Sequence, residues 1–141
     1  ILSGKEAREK EDLEFYGENL GWRFQIADDT VDYNSDLKFF GRHIGKDFFE
    51  GKITLPVILL FQKVTSSEKE KLKNMFKSEL RSNENFNYTL MLIKKYNIIK
   101  DCYKKAEHFI SLASNSLTVF EESEEKKVLK DLTFFSLERN F

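Results

Sequence analysis

The sequence predicts an all-α fold, and two features of the 141-residue chain support this fold class. The chain contains only 6 glycines and 1 proline, which are too few turn residues for a fold of many β-strands. Apolar and small residues recur at steps of three and four over long segments, as they do along one face of an amphipathic helix. The length suits a single helical domain with a sizeable core.

The first predicted helix covers residues 5 to 33. Its apolar and small positions form one stripe at helical spacing: Leu13, Tyr16, Gly17, Leu20, Phe24, Ala27 and Val31. Gly17 and Gly21 lie four residues apart, and each would weaken an exposed helix by about 1 kcal/mol relative to alanine. We therefore expect this glycine face to allow close approach of another helix.

The later elements are predicted from caps and periodicity. Residues 34 to 53 match no regular period and contain three glycines, so they are expected to form a loop. Thr54 followed by Pro56 suits the start of a buried helix, and the spacing from Thr65 to Glu68 is that of a capping box. The predicted helices after the loop cover approximately residues 54–61, 66–81, 87–96, 98–120 and 123–139, with a turn at 83–85.

Charge and hydropathy exclude several functional classes. With 23 Lys and Arg against 24 Asp and Glu, the net charge of −1 gives no global field for nucleic acid or an anionic membrane. The longest apolar stretch, residues 53–61, is far shorter than the roughly 20 residues of a transmembrane helix. Cys102 is the only cysteine, which excludes an intrachain disulfide and favours a reducing, cytoplasmic location.

An acidic motif, QIADDTVD, lies near the end of the first predicted helix. On a helix, its polar members fall on one face at helical spacing: Gln25, Asp28, Asp29 and Asp32. Three carboxylates within about one turn repel each other, and a hard cation such as Mg²⁺ would compensate because it takes oxygen ligands. The motif by itself leaves two interpretations open, a metal site and a solvated acidic face.

A basic glycine-rich segment, GRHIGKDFFEGK, follows at residues 41–52. Each glycine precedes a basic residue, which suits a loop whose amides and cationic side chains converge on phosphate. It is not a Walker A loop, because its last two glycines are separated by five residues and the following lysine precedes isoleucine. A solvated turn is the alternative for this segment alone, but an acidic helix end followed by a basic loop is what a metal-bridged diphosphate needs.

The runs YGENLGWRFQIADDTVDY and FGRHIGKDFFEGKITLP resemble the second aspartate-rich region of the trans-polyprenyl diphosphate synthases, particularly the octaprenyl and decaprenyl types. The family signature is Phe-Gln-x-x-Asp-Asp-x-x-Asp, followed by Gly-Lys-x-x-Gly-x-Asp-x-x-Glu-Gly-Lys-x-Thr-Leu-Pro. Every fixed position is met except the first lysine, which is Arg42 here. The match is dense over residues 16–60, and the implied fold is the C-terminal part of the isoprenoid synthase helical bundle.

The resemblance implies roles for individual residues. The expected catalytic and metal-binding residues are Asp28, which would bind Mg²⁺ directly, and Asp29 and Asp32, which would complete the acidic site partly through waters. The expected substrate-binding residues are Gln25 at the pocket wall, and Arg42 and Lys52 on the allylic diphosphate, with Asp47 orienting nearby groups. Arginine in place of lysine at position 42 keeps the charge but changes the geometry.

The implied activity is the Mg²⁺-dependent condensation of isopentenyl diphosphate with an allylic diphosphate. The family needs a first aspartate-rich motif, yet Asp28 and Asp29 form the only adjacent Asp pair, and the first residue is Ile1. We therefore expect this chain to be the C-terminal half of one synthase domain, inactive alone, with a homodimer for the full-length enzyme. The alternatives are a catalytically incomplete fragment, a non-catalytic helical partner subunit, or an unrelated helical interaction domain.

Overall fold

The computed structural model describes residues 3–36, 43–120 and 122–138, and the regular structure of these ranges is helical, with no strand. The described ranges contain a 3₁₀ turn at Leu117–Val119 and seven α-helices: α1 (Gly4–Val31), α2 (Lys46–Glu50), α3 (Leu55–Lys63), α4 (Ser66–Lys77), α5 (Asn83–Lys95), α6 (Ile98–Ser116) and α7 (Glu124–Glu138). The predicted all-α fold class is confirmed. No helix in the described ranges has both the length and the apolar character needed to cross a bilayer.

Two segments differ from the sequence-based prediction. Residues 46–50 form α2 within the predicted loop, bounded by two glycines in the left-handed conformation. The sequence pattern does not predict this helix, because five residues are too few to show a helical period. Residues 83–85 are the first turn of α5 rather than a separate turn. Here Ser82 and Asn85 form a capping box in which asparagine replaces the usual Glu or Gln. Thr54 does precede α3 as predicted, but its side chain makes no capping hydrogen bond.

The described residues pack as two compact units, the first lying within residues 1–26 and 104–141 and the second within residues 27–103. In the described part of the first unit, Tyr16, Ala113 and Leu117 form a buried cluster against which Leu20, Phe120 and Leu129 pack. The Tyr16 hydroxyl donates to the Leu129 carbonyl at 2.9 Å. This hydrogen bond and the cluster fix α7 to the first part of α1.

The buried face of α1 in the first unit matches the predicted apolar stripe at Tyr16 and Leu20 and differs from it elsewhere. Asn19 and Arg23 are buried there, whereas the predicted core residues Leu13 and Phe24 are 46% and 37% exposed. Periodicity selects the most apolar face of a helix, but this unit instead buries a mixed face whose polar groups find partners. Asn19, for example, donates to the Phe15 carbonyl at 2.8 Å. A Cβ added at Gly17 or Gly21 would meet no atom within 4 Å, so the glycine face is open in this structure.

The core of the second unit is an aromatic cluster centred on Phe48 of α2, which is fully buried. The centroid of its ring lies 5.2 Å from that of Phe86, 5.4 Å from that of Phe76 and 5.5 Å from that of Phe49. Tyr33, just after α1, packs on Phe86 at 6.3 Å. Aromatic pairs of this kind contribute about 0.5 to 1.5 kcal/mol beyond their burial, so the cluster joins α2 to α4, α5 and the end of α1.

Glu68 links the start of α4 to the end of α5. It closes the predicted capping box with Thr65, whose backbone N–H donates to Oε1 at 3.0 Å, and this prediction is confirmed. The Tyr96 hydroxyl and the Lys95 ammonium, the latter at 3.1 Å, also donate to its carboxylate. The hydrogen bond from Tyr96, followed by that from the Thr65 amide, lowers the pKa of Glu68 to about 2.

Replacing Tyr96 with phenylalanine removes the main cause of this shift, so we expect Tyr96→Phe to lower the melting temperature at pH 7. Because the folded pKa of Glu68 lies below its ordinary value of 4.5, the stabilisation is complete above pH 4.5 and is lost as the pH falls towards 2. Thermal unfolding by circular dichroism at several pH values measures the effect. Tyr88→Phe, on the same helix, is the matched control. An equal loss for both variants, or a loss that does not shrink in acid, would contradict the assignment.

Candidate functional site

The acidic motif lies where α1 ends. Asp28 and Asp29 are in its last turns and Asp32 directly follows it; Asp28 is exposed, whereas Asp29 and Asp32 are half-buried. A fourth carboxylate, that of Asp47 in α2, lies close enough for the charges of Asp29 and Asp32 to affect its pKa. Burial raises the pKa of Asp47, Asp32 and Asp29 raise it further, and Lys52 opposes them. The structure therefore brings acidic groups from two segments of the chain near one another.

Asp32 caps the amino end of α2. Its Oδ1 accepts hydrogen bonds from the backbone N–H groups of Gly45 and Lys46, both at 2.9 Å, and its Oδ2 accepts from Asp47 at 2.6 Å. The first N–H groups of a helix have no partner within it, and a carboxylate there also meets the positive end of the helix dipole. Asp32 thus ties the acidic motif to the basic segment, a role its spacing in the sequence does not reveal.

The carboxyl end of α2 is closed by a Schellman motif. Gly51, at φ 74°, donates to the Phe48 carbonyl at 3.0 Å, and the next amide, that of Lys52, donates to the Asp47 carbonyl at 2.9 Å. A residue with a side chain rarely adopts this φ, which explains the glycine. Lys52 therefore leaves the helix from a backbone position that two hydrogen bonds define.

The ammonium group of Lys52 lies beside acidic groups of α2. It is 3.4 Å from Glu50 Oε2 and 3.9 Å from Asp47 Oδ1, and its side chain is 60% exposed. An exposed cation on a long side chain can exchange such partners for a ligand anion at little cost. Lys52 is therefore a fixed but accessible positive charge next to the carboxylates.

Arg81 is a functional candidate that the sequence does not reveal. It donates through Nε to the Phe48 carbonyl at 2.7 Å, although it lies 33 residues further along the chain. Nothing in the local pattern of its segment distinguishes it from a solvated surface arginine. Only the folded structure brings it to the carboxyl end of α2.

Tyr33 borders the same group of charges. Burial is the main cause that raises the pKa of its hydroxyl, the carboxylates of Asp32 and Asp47 add to the rise, and Arg81 opposes it. The hydroxyl is buried and has no hydrogen-bond partner among the described residues. The phenol therefore stays neutral and serves as part of the aromatic core.

The other predicted site residues are placed as follows. Arg42 lies outside the described residues. Gln25 belongs to the first unit, on α1, and its side chain is exposed. Within the described ranges, no three histidine, cysteine or acidic side chains cluster so that they alone could hold a metal ion. The carboxylates described here thus provide at most part of a metal-ligand set.

Known proteins resemble this chain in both sequence and fold. The model of the polyprenyl synthetase family matches residues 1–93. An octaprenyl diphosphate synthase from Haemophilus influenzae is 27% identical over 141 residues, which are 100% of this chain and 42% of that protein. An all-trans-nonaprenyl-diphosphate synthase (geranyl-diphosphate specific) from Rhodobacter capsulatus is 30% identical over 139 residues, which are 99% of this chain and 42% of that protein.

The fold is similar to that of a solved polyprenyl synthase from Caulobacter crescentus, complexed with calcium and isoprenyl diphosphate. The TM-score is 0.80 and the identity 28%, over 94% of this chain and 40% of that one. The chain thus spans about 42% of the length of the curated relatives it matches.

Asparagine at position 32 would keep one acceptor oxygen. Its side-chain NH₂ would replace the other oxygen and could not accept a hydrogen bond from the backbone N–H groups that now donate to Asp32. Loss of a helix cap costs about 1 to 2 kcal/mol, so we expect Asp32→Asn to lower the free energy of unfolding by about this amount. Asp28→Asn is the matched control, because Asp28 is exposed and should change stability by less than about 0.5 kcal/mol. Urea denaturation measures both, and equal effects would argue against the cap.

Proposed function

The chain belongs to the polyprenyl synthetase family, and we propose that it forms part of a synthase that condenses isopentenyl diphosphate with an allylic diphosphate. One observation carries the proposal: α2 joins the two motifs, with Asp32 bonded to its first amides and Lys52 leaving its last turn. The carboxylate of Asp32 and the accessible cation of Lys52 therefore lie at opposite ends of one short helix. This arrangement suits an ionised diphosphate held between a metal ion and a basic side chain.

Mg²⁺ is the proposed cofactor, and Asp28 and Asp29 are the proposed ligands supplied by this chain. Carboxylate oxygens suit this ion, which commonly binds one or two carboxylates, several waters and substrate phosphates. Burial is the main cause that raises the pKa of Asp47, and the neighbouring carboxylates of Asp32 and Asp29 add to the rise, so these three groups lie near one another. When bound, the ion would neutralise charge on the leaving diphosphate. The part of Asp32 in the metal site, through waters, stays a prediction beside its capping role.

The proposed work of the other side chains concerns the allylic diphosphate. Lys52 and Arg42 would bind its phosphate oxygens and stabilise the negative charge that develops as the allylic carbon–oxygen bond breaks. Isopentenyl diphosphate would then attack the allylic cation and a proton would be lost. Asp47 would orient Lys52, and Gln25 would lie at the wall of the allylic pocket. The roles of Arg42 and Gln25 depend on the family signature.

We further propose that activity requires protein beyond these 141 residues. Large apolar side chains of α1 are exposed, including Trp22 at 58% and Phe15 at 44%, and the face of Gly17 and Gly21 is open. Apolar surface of this kind marks a contact with further protein. That protein would be the rest of a cytoplasmic, homodimeric synthase. A non-catalytic helical partner subunit is the second candidate, because the same exposed faces would serve it equally.

Asp28→Ala in the enzyme that contains this chain tests the proposal. We expect turnover to fall by about 100-fold or more, because a lost metal ligand removes several kcal/mol of charge stabilisation. Product formation from isopentenyl diphosphate and an allylic diphosphate is measured over a range of Mg²⁺ concentrations, with Asp36→Ala, another exposed aspartate, as control. Near-normal turnover of Asp28→Ala would exclude the proposed metal role. An enzyme inactive even before mutation would favour the partner subunit.

A further inference from the structure

Arg81 binds the carboxyl ends of two helices at once. Its Nε donates to the Phe48 carbonyl at 2.7 Å and its Nη2 donates to the Phe49 carbonyl at 3.3 Å, both in α2. Its Nη1 donates at 3.3, 3.5 and 2.7 Å to three carbonyls at the end of α4, those of Met75, Phe76 and Ser78. The last carbonyls of a helix have no partner within it, and the negative end of the helix dipole favours a cation there.

The guanidinium also lies directly against the residue that precedes Lys52. A Cβ added at Gly51 would lie only 2.7 Å from Arg81 Nη2. The Phe48 carbonyl that accepts from Arg81 also accepts from the Gly51 amide, at 3.0 Å. Arg81 therefore shares the Phe48 carbonyl with the amide of Gly51, the residue directly before Lys52, where α2 ends.

Arginine suits this position for geometric reasons. Its planar group carries five N–H donors in a fixed fork, whereas a lysine ammonium is a point charge that cannot span two helix ends. Asp32 holds the amino end of α2 in a comparable way, so a helix of five residues is held at each end by a charged side chain. An isolated helix of this length would not persist in water.

We propose that Arg81 is a positioning residue for Lys52. It fixes the end of α2, and with it the direction in which Lys52 reaches the allylic diphosphate, while each of its three nitrogens donates to a backbone carbonyl. This role rests on the proposed function of Lys52 as a diphosphate ligand. It differs from a purely structural role, in which Arg81 would contribute to stability without affecting how the diphosphate is held.

The test measures kcat and KM for an allylic diphosphate in the enzyme that contains this chain, at a temperature where every variant is folded. We expect Arg81→Ala to raise KM about tenfold, because a small misplacement of a substrate-binding group has large effects. Arg81→Lys should also raise KM, because a lysine ammonium keeps the positive charge but cannot donate to both helix ends at once as the guanidinium does. Lys52→Ala should raise KM at least as much, and adding Arg81→Ala to it should raise KM no further.

Thr65→Ala is the matched control, because it breaks the capping box at the other end of α4 within the same unit. It should lower the melting temperature and leave KM unchanged. If both Arg81 variants behave like Thr65→Ala while Lys52→Ala raises KM, the positioning role is wrong and the proposed function stands.

Three further outcomes would overturn the positioning role of Arg81. If Lys52→Ala leaves KM unchanged, the diphosphate role of Lys52 fails and the positioning role fails with it. Additive effects of Arg81→Ala and Lys52→Ala would mean that Arg81 acts independently, which overturns the proposal. Loss of folding in both Arg81→Ala and Arg81→Lys would overturn it too, because a positioning role requires a folded unit with a misdirected Lys52.

Discussion

The second unit depends on the way charged side chains hold α2 at its two ends. The Asp32 carboxylate accepts hydrogen bonds from three backbone amides at the start of the helix, and the Arg81 guanidinium donates hydrogen bonds to two carbonyls near its end. Five residues are too few for a helix to form by its own hydrogen bonds, so these contacts are needed to keep it folded. Because α2 carries Phe48, the centre of the aromatic cluster, the packing of the unit depends on them as well.

The same helix connects structure to the proposed chemistry. The acidic motif precedes it and Lys52 follows it, so the backbone of α2 sets the separation of the proposed metal and diphosphate ligands. Such preorganisation matters because fixed charges stabilise a developing charge without having to reorient. The chain nevertheless spans only about 42% of the length of these two relatives.

The sequence predicts features that depend on local pattern and misses those that depend on distant contacts. The long first helix and the capping box at Thr65 are predictable from short-range spacing, and the family follows from the resemblance of a contiguous segment to a known signature. The capping role of Asp32 requires contact with amides 13 to 15 residues away, and the Arg81 contact spans more than 30 residues. The burial of Tyr16 is predicted by the stripe, but its hydrogen-bond partners, Leu129 and Thr133, lie more than 100 residues further along the chain and are not.

Native-state amide hydrogen exchange at residues 45–52 tests most directly whether Asp32 and Arg81 hold the two ends of α2. In the unmodified protein we expect protected amides at Gly45, Lys46, Asp47, Gly51 and Lys52, since each donates a backbone or side-chain hydrogen bond. Asp32→Asn should increase exchange at Lys46 and Asp47, whereas Gly45 keeps its hydrogen bond to the Asp32 backbone carbonyl at 3.0 Å. Arg81→Lys should increase exchange at Gly51 and Lys52, with α5 unchanged in both variants. Free exchange of these amides in the unmodified protein, or protection that neither substitution reduces, would contradict the account.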